Sequence, residues 1–289
     1  MRNHQIAIQG SVSSFHDLAA KKYFGEDVTV NECGSFKEVC DKIANNKADY
    51  GIIAIENKVA GSILLNYLLI EKYDLKVIGE IYLPIELQLL GKKGSKLSDI
   101  KEIVSHPMAL GQSQIFLADH DSLTVTEYKD TSTCAKLVAD DPSGKLAVIG
   151  GPTLAKSFNL DVLDENVCDV KQNFTRFYIL SKGGDYVADP NKASVTMQIK
   201  NEPGSLSKAL DIIKKYGLNL SKIQSLPIPN NSNAYPFHFD FEFDDKSVFE
   251  KCLLDLEKEV VAIKVLGIYK SEAYKPKIVE ELNIHKNLN

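Results

Sequence analysis

The chain has 289 residues, enough for one large or two ordinary domains, and its 44% hydrophobic and 25% charged content is that of a water-soluble globular protein. A net charge of −5 and a pI near 5.7 remove any general electrostatic pull toward nucleic acid or an anionic membrane surface. An anionic ligand must therefore meet donors gathered locally.

Short apolar runs alternate with amphipathic helical patterns through the first half, the habit of an α/β domain whose strands are covered on both faces. Strands are expected at Ile6 to Gln9, Val28 to Glu32 and Gly51 to Ile55. Helices fall between them at Ser14 to Phe24 and Ser35 to Asn45, with Ser14 and Ser35 suited to cap the first turns. A second lobe is expected to open after the apolar segment Leu75 to Leu90, where Ile103 to Ser105, Leu123 to Tyr128 and Leu146 to Ile149 repeat the alternation. Two α/β lobes imply a cleft, and helix N-termini along such clefts offer N–H groups to small anions.

After a strand at Phe174 to Ser181, the stretch 183–192 has the glycine, proline and polar content of a linker. The chain then reads β (Ser194 to Lys200), α (Ser205 to Tyr216), β (Leu218 to Ser225), β (Tyr235 to Phe243), α (Lys246 to Leu256), β (Ala262 to Tyr269). That order is the ferredoxin-like βαββαβ arrangement. The expected division is a catalytic domain over 1–182, a linker over 183–192, a small domain over 193–275 and a tail over 276–289. Between the first strand and first helix of the small domain, Pro203, Gly204, Ser205 and Leu206 form a tight turn that either shapes the chain or leaves helix N–H groups open to a small zwitterion.

Five cysteines, Cys33, Cys40, Cys134, Cys168 and Cys252, are odd in number and never form a Cys-x-x-Cys pair, so they read as reduced, packed thiols. The first residues lack the apolar core of a signal peptide and no stretch reaches the length of a membrane span, which makes the cytoplasm the expected compartment. Glycine-rich nucleotide loops, a His-Glu-x-x-His helix and a nucleophile elbow are all missing, which favours chemistry without a cofactor or metal.

Four segments taken together carry a resemblance. They are Gly51-Ile52-Ile53-Ala54-Ile55-Glu56-Asn57 with Gly61-Ser62; Ser105-His106-Pro107 with Gln112; Asp130-Thr131-Ser132-Thr133; and Asn173-Phe174-Thr175-Arg176-Phe177. In this order they resemble the prephenate dehydratase family, whose signature Thr-Arg-Phe enters a final strand. The small domain resembles the ACT domain fused to such enzymes, through Glu202 to Leu206 and through Asn219 to Pro227, where Gln224 and Leu226 replace a usual Glu and Arg around Ser225. The resemblance departs at Gly10-Ser11-Val12-Ser13-Ser14-Phe15, where Ser13 replaces a glycine and a changed turn is expected, and at Lys58, where the family has Ser or Thr.

The resemblance implies a two-lobed, type II periplasmic-binding-protein-like catalytic domain followed by the ACT domain. It implies decarboxylating dehydration of prephenate to phenylpyruvate with no cofactor, L-phenylalanine as effector, and a homodimer or homotetramer. Thr175 is then the central catalytic residue, with Asn57, Ser105, Gln112 and Thr131 orienting the substrate beside Ser132 and Phe177. Gln112 is expected about two turns into its helix, and Thr131 and Ser132 at a helix N-terminus able to hold a carboxylate. Glu56 is a proton-relay candidate or a solvated charge, Asn57 also suits a helix cap, and Arg176 is a carboxylate clamp or a structural ion pair. The effector set is Pro203, Gly204, Ser205, Leu206, Gln224 and Ser225. Arogenate dehydration and a non-catalytic two-lobed binding protein remain alternatives.

Overall fold

A computed structural model describes residues 4–185, 187–227 and 234–271. Residues 272–275 of the expected small domain and the 276–289 tail lie outside the described residues, as does Tyr186 of the expected linker.

The first sheet begins with β1 (Gln5–Gln9), α1 (Phe15–Phe24), β2 (Thr29–Cys33), α2 (Phe36–Ala44) and β3 (Tyr50–Asn57). The Ser14 and Ser35 hydroxyls accept from Asp17 N and Glu38 N and cap α1 and α2. A short β4 (Gly61–Ser62) folds back on β3, then α3 (Leu64–Lys72) leads into β5 (Lys76–Pro84). The apolar segment 75–90 is divided between two sheets, because the ladder of β5 stops at Pro84 and β6 (Gln88–Lys92) starts the second one.

The second lobe adds β7 (Glu102–Ser105), α4 (Pro107–Gly111), α5 (Gln114–Asp119), β8 (Thr124–Glu127), α6 (Thr131–Asp140), β9 (Leu146–Gly150), α7 (Thr153–Phe158) and β10 (Leu160–Asp164). Its strand order is β10-β6-β9-β7-β8. The chain then returns, and β11 (Phe174–Ser181) inserts between β3 and β5, antiparallel to both, giving β2-β1-β3-β11-β5. Two connections thus join the lobes, tied by Ile85 N donating to Asn173 O and Val167 N to Leu87 O.

Alternation along β11 sends Phe177 and Ile179 to the α1 face, with Ile6, Ile8, Ala19 and Ala20, while Tyr178 and Leu180 face the other way. The partner strand β3 carries a bulge. Thr175 lies opposite Asn57 and Arg176 opposite Glu56, but Phe177 lies opposite Ala54, so Ile55 is the extra residue.

The remaining elements are β12 (Lys192–Lys200), α8 (Ser205–Lys215), β13 (Asn219–Ser225), β14 (Ala234–Glu242), α9 (Lys246–Glu259) and β15 (Ala262–Tyr269), with strand order β13-β14-β12-β15. This C-terminal unit has its own core of Val195, Met197, Phe239, Phe241 and Phe249. It also packs on the first sheet. Leu226, Leu266 and Tyr269 join Tyr178 and Leu180 in one buried cluster, and Gly267 comes so near the Val77 carbonyl that a Cβ there would sit 1.9 Å from its oxygen. All five cysteines are buried and unpaired, and no helix among the described residues is long and apolar enough to cross a membrane.

Candidate active site

Asn57 closes β3, and its amide is fixed from both ends. Its Oδ1 accepts from Val59 N and Ala60 N, each at 2.9 Å, which turns the Nδ2 group toward β11. It therefore caps a turn rather than a helix, since the N-cap of α3 is Ile63. Nδ2 donates to Thr175 Oγ1 and to Asn173 Oδ1, both at 2.9 Å. Asn173 in turn donates through Nδ2 to Gln112 Oε1 at 3.2 Å. A chain of amides and one hydroxyl, buried except at its half-buried Gln112 end, thus runs from the second lobe to the first at the point where the chain crosses between them. Asn173 was not singled out by sequence reasoning, and its position beside the Thr-Arg-Phe segment was the available signal.

Gln112 is not two turns into a helix. α4 ends at Gly111 and Gln112 is its C-cap, so the side chain leaves the helix toward Asn173. Ser105 ends β7 with its hydroxyl donating to Ile149 O at 2.5 Å, while the N-cap of α4 is His106, whose Nδ1 accepts from Met108 N. Ser105 thereby joins β7 to the end of β9. Thr131 opens α6 beside that strand end, with its Cβ 3.7 Å from where a Gly150 Cβ would stand. The anion position at the N-terminus of α6 is held by the chain's own Asp130, whose carboxylate accepts from Thr133 N and Thr133 Oγ1. Ser132 Oγ turns to the first lobe and reaches Val12 O at 3.4 Å.

Three expected site residues are directed elsewhere. Arg176 follows Thr175 on the strand and so emerges on the opposite face, where it is buried against Glu80 and Asp240. Of its two readings the ion pair is the one observed. Glu56 lies on that same side, with Oε1 2.8 Å from Lys222 Nζ of the C-terminal unit. Phe177 is 1% exposed and packs in the core, its ring edge-on to His16 at 5.0 Å. Burial lowers the pKa of His16 to about 4, so its imidazole is neutral at ordinary pH.

The lobes touch across the cleft. Ser13 and Ser157 hydroxyls lie 2.6 Å apart, Thr153 Oγ1 donates to Ser13 O at 2.9 Å, and a Gly151 Cβ would stand 3.2 Å from the Phe15 ring. Ser13 has a left-handed backbone (φ +71), the conformation that glycine adopts without strain, and the turn is held by Ser13 N donating to Asp17 Oδ2. A hollow of about 340 Å³ at the lobe boundary is lined by Phe15, Leu83, Pro84, Pro152 and the lysines 21 and 22; neither Asn57 nor Thr175 lines it.

In the C-terminal unit, Gly204 is left-handed (φ +84) as N-cap of α8, and Pro203 and Gly204 are exposed ahead of the half-buried Ser205 and Leu206. No hydrogen bond joins this turn to Gln224 among the described residues. Gln224 Oε1 instead accepts from Ser62 Oγ of the first lobe at 3.0 Å, and its Nε2 donates to the carbonyl of the exposed Ser225. Leu226, at the position of the usual arginine, is 4% exposed and fills the core under the first sheet, which explains an apolar residue there.

Known proteins resemble this chain in both sequence and fold. The family model for prephenate dehydratase matches residues 6–185. A prephenate dehydratase of Methanocaldococcus jannaschii is 33% identical over 89% of this chain and 94% of its own. Among solved structures, a quorum quenching acylase called GqqA superposes with a TM-score of 0.83 at 26% identity over 94% of this chain and 100% of that one. The prephenate dehydratase of Arthrobacter aurescens in complex with L-Phe gives 0.83 at 24% identity over 98% and 99%. With most of its length matched by that model and a relative aligned nearly end to end, the chain belongs to the prephenate dehydratase family.

Proposed function

We propose that this chain removes the ring carboxylate of prephenate as CO2 and the C4 hydroxyl as water, giving phenylpyruvate, with Thr175 as the donor to the departing hydroxyl. The electron pair of the breaking C–C bond enters the ring, and the leaving hydroxide takes up one proton. Aromatisation supplies the drive, so the protein need only hold a dianion in a reactive conformation and stabilise the leaving group.

The observation that carries the reading is the bond from Asn57 Nδ2 to Thr175 Oγ1. With an amide hydrogen on its oxygen, the threonine is left to point its own O–H outward as a donor. Gln112 and Asn173 hold this pair from the lobe boundary, and Ser105 and Thr131 stand at the strand ends of the facing lobe. Glu56, Arg176 and Phe177 support the site from behind, without touching substrate.

The C-terminal unit is read as an ACT domain, supported by its βαββαβ order and its Pro203-Gly204 turn, and the L-Phe complex of the Arthrobacter protein supports phenylalanine as effector. Pro203 to Leu206 with Gln224 and Ser225 form the effector set. Because the two segments are not joined within one chain, a homodimer or homotetramer that brings them together across copies fits this reading. A cofactor-free assay of the purified protein with prephenate, following phenylpyruvate by its absorbance in alkali beside a parallel arogenate reaction, tests the activity. Calorimetry with millimolar phenylalanine tests the effector; no heat of binding would remove phenylalanine and leave catalysis standing.

A further inference from the structure

Behind the Thr175–Asn57 pair lies a buried charge cluster that the reaction does not use. The first lobe contributes Arg176 and Glu80, the C-terminal unit Asp240 and Lys192, and all four are at most 4% exposed. Two pairs cross between the units, Arg176 Nη1 with Asp240 Oδ2 at 2.5 Å and Lys192 Nζ with Glu80 Oε1 at 2.8 Å, and within the first lobe Arg176 Nε donates to Glu80 Oε2 at 2.6 Å. Hydroxyls complete the set. Ser194 Oγ donates to Asp240 Oδ1 at 2.6 Å, Tyr178 Oη donates to the same oxygen at 3.1 Å, and Arg176 Nη2 donates to Tyr269 Oη at 3.2 Å.

This cluster grips the sheet beside a bulge in its ladder. The β3 bulge places the extra Ile55 directly before Glu56 and Asn57, so the ladder shifts by one residue immediately beside the pair, which itself stays in register. Arg176, next to Thr175 in sequence, bonds Asp240 and comes within 4.0 Å of Glu56, the neighbour of Asn57. One guanidinium therefore touches the strands on both sides of the pair.

We infer that Asp240, on β14 of the C-terminal unit, is a positioning residue for dehydration that acts through Arg176 to hold Thr175 and Asn57 in register. The inference rests on the dehydratase reading of the site. It makes the C-terminal unit part of the catalytic geometry with no effector bound.

The test uses the full chain with Asp240→Asn, which keeps shape and removes charge. Turnover of prephenate should fall roughly 10- to 100-fold, the scale of a small misplacement of reacting groups, with KM within about two-fold. The Thr175 methyl resonance in threonine-labelled protein, assigned by its loss in Thr175→Ser, should shift in Asp240→Asn. A folded variant with unchanged kcat, or one whose whole loss is in KM, overturns the inference. If Asp240→Asn does not fold, Tyr269→Phe removes only a hydroxyl from Arg176. A kcat lowered by roughly two- to five-fold and a shifted methyl would then support it, and parent values of both would overturn it. If the parent is inactive on prephenate while the methyl still moves in Asp240→Asn, the dehydratase reading fails and the coupling of Asp240 to Thr175 stands.

Discussion

Asn57 Nδ2 donates to Thr175 Oγ1 at 2.9 Å, and the two residues are register partners at the end of β3 and the start of β11. Neither is ionisable, so the pair keeps its polarity beside a dianionic substrate, where a carboxylic acid would be repelled or titrated.

Thr175→Val, which preserves shape, should lower kcat on prephenate roughly 10²- to 10³-fold, the usual scale for one transition-state donor. Thr175→Ser keeps the hydroxyl and should stay within roughly ten-fold of the parent. Steady-state kinetics on folded variants decides it, and a Val variant with near-normal turnover would remove Thr175 from the donor role.

Stability should decline on the mildly acid side because of His16. Buried against Phe177, it has a folded pKa of about 4 against an ordinary value of 6.5. Between those values the unfolded chain binds more protons, so the contribution is complete above about pH 6.5 and is lost as pH falls to about 4, on the order of 3 kcal/mol in all. Asp240 adds a later step. Burial opposes its charge, but Arg176 and His238 outweigh that and hold its carboxyl well below the ordinary range, so its contribution goes only below about pH 4. Urea midpoints at pH 7 and 5 should differ clearly in the parent and much less in His16→Leu.

Much of this fold was legible because its signals are local. The Ser14 and Ser35 caps, the alternating strand and helix runs and the βαββαβ order depend on residues a few positions apart. The return of β11 to the first sheet was not legible, since strand pairing across more than a hundred residues leaves no mark on either strand alone. The same limit applied to Arg176. Period-two alternation already put it opposite Thr175, yet only the tertiary arrangement shows which face looks into the cleft and which meets Asp240. Gln112 was misplaced because a helix that opens with Ser-His-Pro looks longer than the single turn that ends at Gly111.

Ser13 offers a test of strain against contact. Its left-handed backbone costs a non-glycine residue about 1–2 kcal/mol, while its hydroxyl reaches Ser157 in the other lobe. Ser13→Ala should lose about 1 kcal/mol by giving up the bond and keeping the backbone cost. Ser13→Gly gives up the same bond and relieves the backbone, so it should be more stable than Ser13→Ala by about 1 kcal/mol. The reverse order in chemical denaturation would mean that the turn is not left-handed in solution.

Gly267 should tolerate no side chain, because there the backbone of the unit that carries Asp240 lies directly against the backbone of the first sheet. A Cβ would fall 1.9 Å from the Val77 carbonyl oxygen and 2.9 Å from its Cβ, and the nearest obstacle is backbone, which cannot rotate aside. β15 must then lift from β5, drawing Leu266 and Tyr269 out of the cluster they share with Tyr178 and Leu180. Gly267→Ala should therefore lose roughly 3 kcal/mol, at the upper end for overpacking, and trypsin should cut faster at Lys182, between the first sheet and β12. Loss of stability with unchanged cleavage would indicate that the strain is absorbed within β15 and that the units stay together.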